Sequence, residues 1–273
     1  MKEKDRDITV MGILNLTGDS YFADSRCLEK DGNIDLEQVL ERTERMFAEG
    51  AGIVDIGACS SRPGAVLPDE AEEWRRLSPL MQVLRKEFPD GKFSVDTFRS
   101  GIVWKCFDNI GDFTVNDISA GEDDPHMLET VGKLGLGYVA MHKKGSPADM
   151  QDRCSYDDVT EEVLEYFRNF SVRAEKAGIR DWILDPGFGF AKTVAQNYRL
   201  LRELDRFSVL GRRILAGISR KSMIYKFLDI TPEEALPQTQ VLHLAALERG
   251  ADILRVHDVA EAVRTVRLYR MLI

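Results

Sequence analysis

Histidine is scarce in this chain, with four in 273 residues, and no H-x-H or H-E-x-x-H pattern occurs. That excludes the motif-borne zinc hydrolases. Cysteine is equally sparse. Cys27, Cys59, Cys106 and Cys154 stand far apart with no C-x-x-C pair, so neither a disulfide framework nor a thiol redox motif is drawn. They read as bystander thiols of a reduced compartment, with Cys59 the one to follow because it lies in a polar loop motif. No basic run offsets the net charge of −9, which argues against a nucleic-acid or anionic-membrane partner. No stretch approaches the roughly 20 apolar residues of a membrane helix. Met1–Asp7 carries both signs of charge in place of a signal-peptide core, so cytoplasm is the expectation. No G-x-S-x-G or Cys/His arrangement offers a nucleophile. Gly187-Phe188-Gly189 falls short of G-x-G-x-x-G and lacks the acidic residue downstream.

What is present is a large apolar fraction, 44% of the chain, ample for one core. It is concentrated in eight short runs: Ile8–Leu14, Ile53–Ile56, Phe93–Val95, Phe113–Val115, Gly137–Met141, Trp182–Leu184, Ile214–Ile218 and Asp252–Leu254. Helix-length segments separate them. Asp35–Glu49 carries an i, i+3, i+4, i+7 apolar stripe that Gly50 ends. Asp69–Phe88, Phe98–Asp108, Asp124–Leu134, Tyr156–Ala177, Val194–Leu204, Pro232–Arg249 and Val259–Leu272 follow, with an extra short helix at Ser222–Leu228. Strand and helix alternate throughout, and no linker composition interrupts them. The reading is α/β, a single-domain (β/α)8 TIM barrel over residues 1–273.

Most runs end in a residue able to do chemistry, and strand C-termini form the rim where such barrels carry their sites. Three connections on that rim, Leu16–Asn33, Gly57–Pro68 and His142–Ser155, exceed what a barrel needs, as loops that cover a site do. Asn15 closes Met11-Gly12-Ile13-Leu14-Asn15 and suits either an Asx-turn or a ligand. Asp55-Ile56-Gly57-Ala58-Cys59-Ser60-Ser61-Arg62-Pro63-Gly64 sets two hydroxyls and a guanidinium in a glycine-bounded loop, apt for an anion. Asp96, Asn116 and Asp185 each end an apolar strand. Singly each could cap the next helix. Together they form a set of acceptors and a donor for a flat heterocycle bearing N–H groups. Lys221, in Ser219-Arg220-Lys221-Ser222, stands before the short helix and favours anions there. Arg255 and His257 share one side of an extended chain by their i, i+2 spacing. Arg255 could stack on a ring or meet phosphate.

This set of motifs, in this order from Met11 to about Asp258, resembles the dihydropteroate synthase family. The blocks that carry the likeness are Met11–Ser20, Ser60–Ala65, Ser94–Thr97, Val115–Ser119, Leu184–Lys192, Ser219–Ser222 and Arg255–Val259. The resemblance implies a transferase of folate biosynthesis and a sulfonamide target. It would join 4-aminobenzoate to (7,8-dihydropterin-6-yl)methyl diphosphate with magnesium as cofactor, and act as a homodimer. It assigns Asn15 to the magnesium-bound diphosphate, and Ser61 and Arg62 to substrate and anion binding. Asp96, Asn116 and Asp185 match the deep pterin set. Lys221 contacts the pterin and borders the 4-aminobenzoate site, and Ser222 lies near that substrate's carboxylate. Arg255 stacks on the pterin, His257 joins the diphosphate site, and Met141 and Phe190 are apolar walls. Lys221 and Arg255 are the catalytic pair.

Three departures from the family pattern stand out. Gly18 stands for proline, Ala58-Cys59 for Gly-Glu, and Gln238 for glycine. Two other readings remain open at this level. A methyltetrahydrofolate-dependent corrinoid methyltransferase would share the Asp96, Asn116 and Asp185 grip without needing the anion residues. The other is a non-catalytic pterin-binding protein.

Overall fold

The structure is a computed structural model that describes residues 6–16, 33–59, 67–145 and 150–273. Its strands are β1 (Thr9–Asn15), β2 (Ile53–Gly57), β3 (Phe93–Asp96), β4 (Thr114–Asp117), β5 (Gly137–Met141), β6 (Trp182–Asp185), β7 (Leu215–Ala216) and β8 (Ile253–Val256). All pair in parallel, in the order β6-β5-β4-β3-β2-β1-β8-β7. One further parallel bridge, Leu184 to Ile214, joins the two ends. The fold is the expected (β/α)8 barrel.

Between the strands run α1 (Leu36–Glu49), α2 (Glu70–Glu87), α3 (Ser100–Ile110), α4 (Met127–Leu134), α5 (Val159–Lys176), α6 (Val194–Arg202), the short α7 (Ser222–Leu228), α8 (Leu236–Glu248) and α9 (Val259–Leu272). Their ends follow local chemistry. Asp35 and Asp69 cap α1 and α2 by accepting from Gln38 N and Glu72 N. Thr193 and Gln196 close a reciprocal capping box at α6.

Alternate strand residues face inward. Met11, Val139, Ile183, Leu215 and Ile253 pack together inside the barrel, with Ile53 against them. A larger apolar layer fills the space between strands and helices. Two residues farther along each strand, the same inner face carries Ile13, Asp55, Met141, Asp185, Gly217 and Arg255. The barrel is thus wholly apolar below, and within one period of the strands the charges of Asp55, Asp185 and Arg255 enter its inner face.

Candidate active site

The strand register lines the rim with the expected residues. Asn15 pairs with Gly57, Gly57 with Asp96, and Asp96 with Asn116. On the other side Met141 pairs with Asp185. A side chain at Gly57 would press on its neighbours, because a Cβ there would lie 3.3 Å from Asp96 Cβ and 3.6 Å from Asn15 Oδ1. Glycine keeps those two groups close.

Beneath this rim lies a charged cluster centred on Asp55. Arg255 donates from Nε to Asp55 Oδ2 at 2.7 Å and from a terminal nitrogen to Asp96 Oδ2 at 2.7 Å. Asn116 Nδ2 donates to the same Asp55 oxygen at 3.0 Å. Asp55 is fully buried, and its Oδ1 has no hydrogen-bond partner in the structure. Burial opposes the charge of Arg255, yet Asp55 and Asp96 together hold it above its ordinary value. Burial raises the Asp96 carboxyl, Arg255 pulls it back, and the Asp55 charge raises it again.

The β6–β7 side is built differently. Asp185 Oδ1 accepts from Gly187 N at 2.8 Å, so the local turn uses one of its oxygens. Lys221 donates to the carbonyl of Phe188 and sits 4.8 Å from the centroid of the Phe190 ring. A Cβ at Gly217 would lie 3.8 Å from both Asp185 Oδ2 and Lys221 Nζ, so the bare strand end leaves room for both groups. Burial lowers Lys221 to about 8, against the pull of Asp185. Burial likewise raises Asp185, with Lys221 the largest opposing influence. Met141 is buried beside Asp185, and Ser222 opens α7. His257 lies with its Nδ1 3.1 Å from Ser219 Oγ, and its backbone N–H donates to the same oxygen.

The chain matches the pterin binding enzyme family model over residues 11–257. It is 39% identical to the dihydropteroate synthase of Haemophilus influenzae, over 96% of this chain and 92% of that one. The dihydropteroate synthase of Yersinia pestis, solved with a sulfonamide drug complex, superposes with a TM-score of 0.90. It shows 36% identity over 98% of this chain and 95% of that one. The Xanthomonas albilineans enzyme with 4-aminobenzoic acid gives a TM-score of 0.86 at 36% identity, over 98% and 94% of the two chains. The chain belongs to the dihydropteroate synthase family.

Ten of the twelve sequence-assigned site residues lie within the described regions. Asp96, Asn116 and Arg255 meet in one cluster. Asp185, Lys221, Phe190 and Met141 form the second group. Asn15, Ser222 and His257 border them. Ser61 and Arg62 lie outside the described residues, as does Gly18. Arg220, next to Lys221, is structural. It adopts φ +52° and forms a fork–fork pair with Asp258 at 2.7 and 2.8 Å, while also donating to the carbonyls of Pro232 and Glu233.

Sequence reasoning missed Asp55, although a carboxylate inside the apolar run Ile53–Ile56 was a usable signal. It also left Lys192 unassigned. Next to the departure at Cys59 lies Glu73. That buried carboxylate pairs with Arg99, which reaches Cys59 Sγ at 3.6 Å. Burial and Glu73 push the Cys59 thiol up to about 12, which disfavours a thiolate there. Gln238, the third departure, carries a buried Oε1 with no partner in the structure.

The residues fit magnesium only as a shared ligand. Among the described residues no group of three His, Cys, Asp or Glu side chains stands ready to hold a metal. Asn15 offers one hard amide oxygen at the rim, the kind of sparse protein donor that suits magnesium arriving with substrate phosphates and water.

Proposed function

We propose that this chain condenses (7,8-dihydropterin-6-yl)methyl diphosphate with 4-aminobenzoate, releasing diphosphate and forming 7,8-dihydropteroate. The observation that carries the reading is the convergence of Asp96, Asn116, Asp185, Lys221 and Arg255 on one rim above the buried Asp55. A pterin edge presents adjacent N–H donors and ring acceptors. The carboxylate of Asp185 and the Asp96–Asn116 pair supply the complementary groups.

Chemistry then follows from charge. As the bond from the pterin methylene to the diphosphate oxygen breaks, its electron pair leaves with the diphosphate. His257 and Asn15 stand where that charge develops, and Ser61 and Arg62 are assigned there by family likeness. Bound magnesium supplies further charge stabilisation to the leaving group, with Asn15 as its protein ligand. The pterin ring shares the positive character left on the methylene. The aniline nitrogen of 4-aminobenzoate donates its lone pair to that carbon, and its proton passes to solvent. Lys221 holds the pterin edge beside Phe190, and Arg255 supports the ring from below. No strong base is required, because the amine is already neutral and nucleophilic.

The assembly we propose is a homodimer. Phe227 and Leu228 of α7, Val241 of α8, and Leu268, Met271 and Leu272 of α9 are exposed apolar side chains, and such groups favour association. Sedimentation at a monomer's mass at micromolar concentration would count against it. Among the described residues no helix is long and apolar enough to cross a membrane, and the proposed compartment is the cytoplasm. Incubation with both substrates and magnesium, followed by assay of diphosphate, tests the reaction. Release above background is expected. None, or methyl transfer to a cobalamin acceptor, overturns it.

A further inference from the structure

Behind the rim, a second lysine is buried with no carboxylate in contact among the described residues. Lys192 follows the Asp185-Pro186-Gly187-Phe188-Gly189-Phe190 turn, and only 3% of it is exposed. Its Nζ lies 3.0 Å from each of His142 Nδ1, the Gly187 carbonyl and the Phe190 carbonyl. An ammonium has three N–H donors and no acceptor, so each finds one partner. His142 Nδ1 must therefore accept, which places the ring proton on Nε2. Burial and the neighbouring cations Lys192 and Lys144 hold His142 well below its ordinary value, so the ring is neutral, as an acceptor must be.

The two carbonyls that Lys192 grips bracket the turn used by the site. Gly187 N binds Asp185. The Phe188 carbonyl accepts from Lys221, whose Nζ also faces the Phe190 ring. The turn has little freedom to refold elsewhere. Gly187 has φ +72°, and a Cβ there would come within 2.0 Å of the His142 carbonyl oxygen. Resting on the pterin-binding reading above, we propose that Lys192 is a positioning residue whose ammonium clamps the Gly187–Phe190 turn to His142, holding Asp185 and Lys221 in their substrate-binding geometry.

The clamp is strongest while Lys192 is protonated. A neutral amine loses the charge that strengthens all three contacts, and it keeps the His142 contact only if the ring moves its proton to Nδ1 and donates. Burial lowers Lys192 to about 7. The titratable groups facing it are Asp185 from β6, Lys221 at the head of α7, Lys144 and His142 after β5, and Cys154 after the 3-10 turn Met150–Arg153. Tyr156 and Tyr166 pack on His142. Of these, Asp185 favours the charged lysine, as Cys154 would only as a thiolate, a form its burial disfavours, whereas Lys221 and Lys144 oppose it.

Two variants test the clamp by steady-state kinetics and by calorimetry with the dihydropterin diphosphate. Lys192→Met keeps length and apolar bulk but has no donors. We expect its KM for the pterin substrate to rise about ten-fold or more, with kcat at saturation changed less than about three-fold. An unchanged KM, or a loss confined to kcat, overturns the proposal. His142→Phe keeps the ring but removes one acceptor, which lowers the pKa of Lys192. The alkaline fall in pterin affinity then moves to lower pH, an effect that general loosening of the fold would not produce. An unmoved profile overturns the proposal, and this arm decides the matter if Lys192→Met does not fold. Wild-type protein assayed in parallel separates the two claims, since an inactive wild type overturns the condensation reading itself.

Discussion

The two sides of the rim solve the same problem, a buried charge, by opposite means. On the β2–β3–β8 side opposite charges meet directly: Asp55 and Asp96 both face Arg255, with Asn116 completing the set. On the β6–β7 side Lys221 and Lys192 rest on backbone carbonyls and a neutral histidine, and Asp185 acts on them through space. Direct pairing keeps Arg255 charged at any accessible pH. Carbonyl pairing leaves the lysines within reach of ordinary titration. The first side is a frame that holds a permanent charge in Arg255, with only the Asp96 carboxyl raised to about 7, whereas both lysines of the second can change as substrate arrives.

The sharpest way to break this contrast is Asp55→Ala. Asp96 still holds one arm of Arg255, so the loss is that of a buried acceptor shared by Arg255 Nε and Asn116 Nδ2, about 1.5–3 kcal/mol for the charged hydrogen bond and more for the amide left unpaired. Urea unfolding should show a loss of that order, and a loss below about 1 kcal/mol would mean the frame is not structural. Asp185→Asn comes next. An amide facing two pterin N–H groups presents a mixed edge, and loss of a charge-assisted hydrogen bond worth about 1.5–3 kcal/mol weakens binding roughly 10- to 100-fold. Calorimetry with the pterin substrate measures it, and near-normal affinity would move the pterin elsewhere.

Lys221→Met should separate function from folding. Its turnover falls by about ten-fold or more for want of a charged contact. Its melting temperature holds or rises, because burial already disfavours that charge. A large fall in melting temperature would place Lys221 in the frame instead. The smallest effect is on pH dependence. In the folded chain Lys192 and Lys221 titrate at about 7 and about 8, against roughly 10.4 when unfolded. Between those values the unfolded chain binds protons that the folded chain has released, so stability rises with pH. Denaturation at neutral and alkaline pH should show that rise, and Lys221→Met should flatten it. A slope unaffected by the substitution would remove Lys221 from the account.

Much of this was legible in the sequence, for stated reasons. Strand alternation with an apolar inner layer placed Asp96, Asn116, Asp185 and Arg255 on one rim without any coordinates, and α7 and α9 begin and end where expected. The misplaced helix starts trace to contacts made across the chain. Asp124 was read as opening a helix, but its carboxylate accepts from Ser100 N and His126 N. That contact fixes the start of α3 two residues later than Phe98, and α4 starts at Met127. Pro232 was read as the start of α8. Arg220 takes the Pro232 and Glu233 carbonyls, and the helix waits until Leu236. Asp55 and Lys192 escaped assignment because their roles depend on Arg255 and His142, partners 200 and 50 residues away. Sequence spacing carries no trace of such distances.

The bridge that closes the barrel has a consequence for how the protein breathes. Seven strand junctions are ladders, whereas β6 meets the β7 segment through the single Leu184–Ile214 bridge, with Leu184 N donating to Arg213 O. A cylinder with one weak seam opens along that seam first, at a free energy well below global unfolding. The amide of Leu184, whose acceptor lies across the seam, should therefore exchange with deuterated solvent ahead of those in the β1–β2 ladder. Asp185 and Gly217 stand at the mouth of this seam, so the most yielding line in the wall runs directly under the lysine side of the rim.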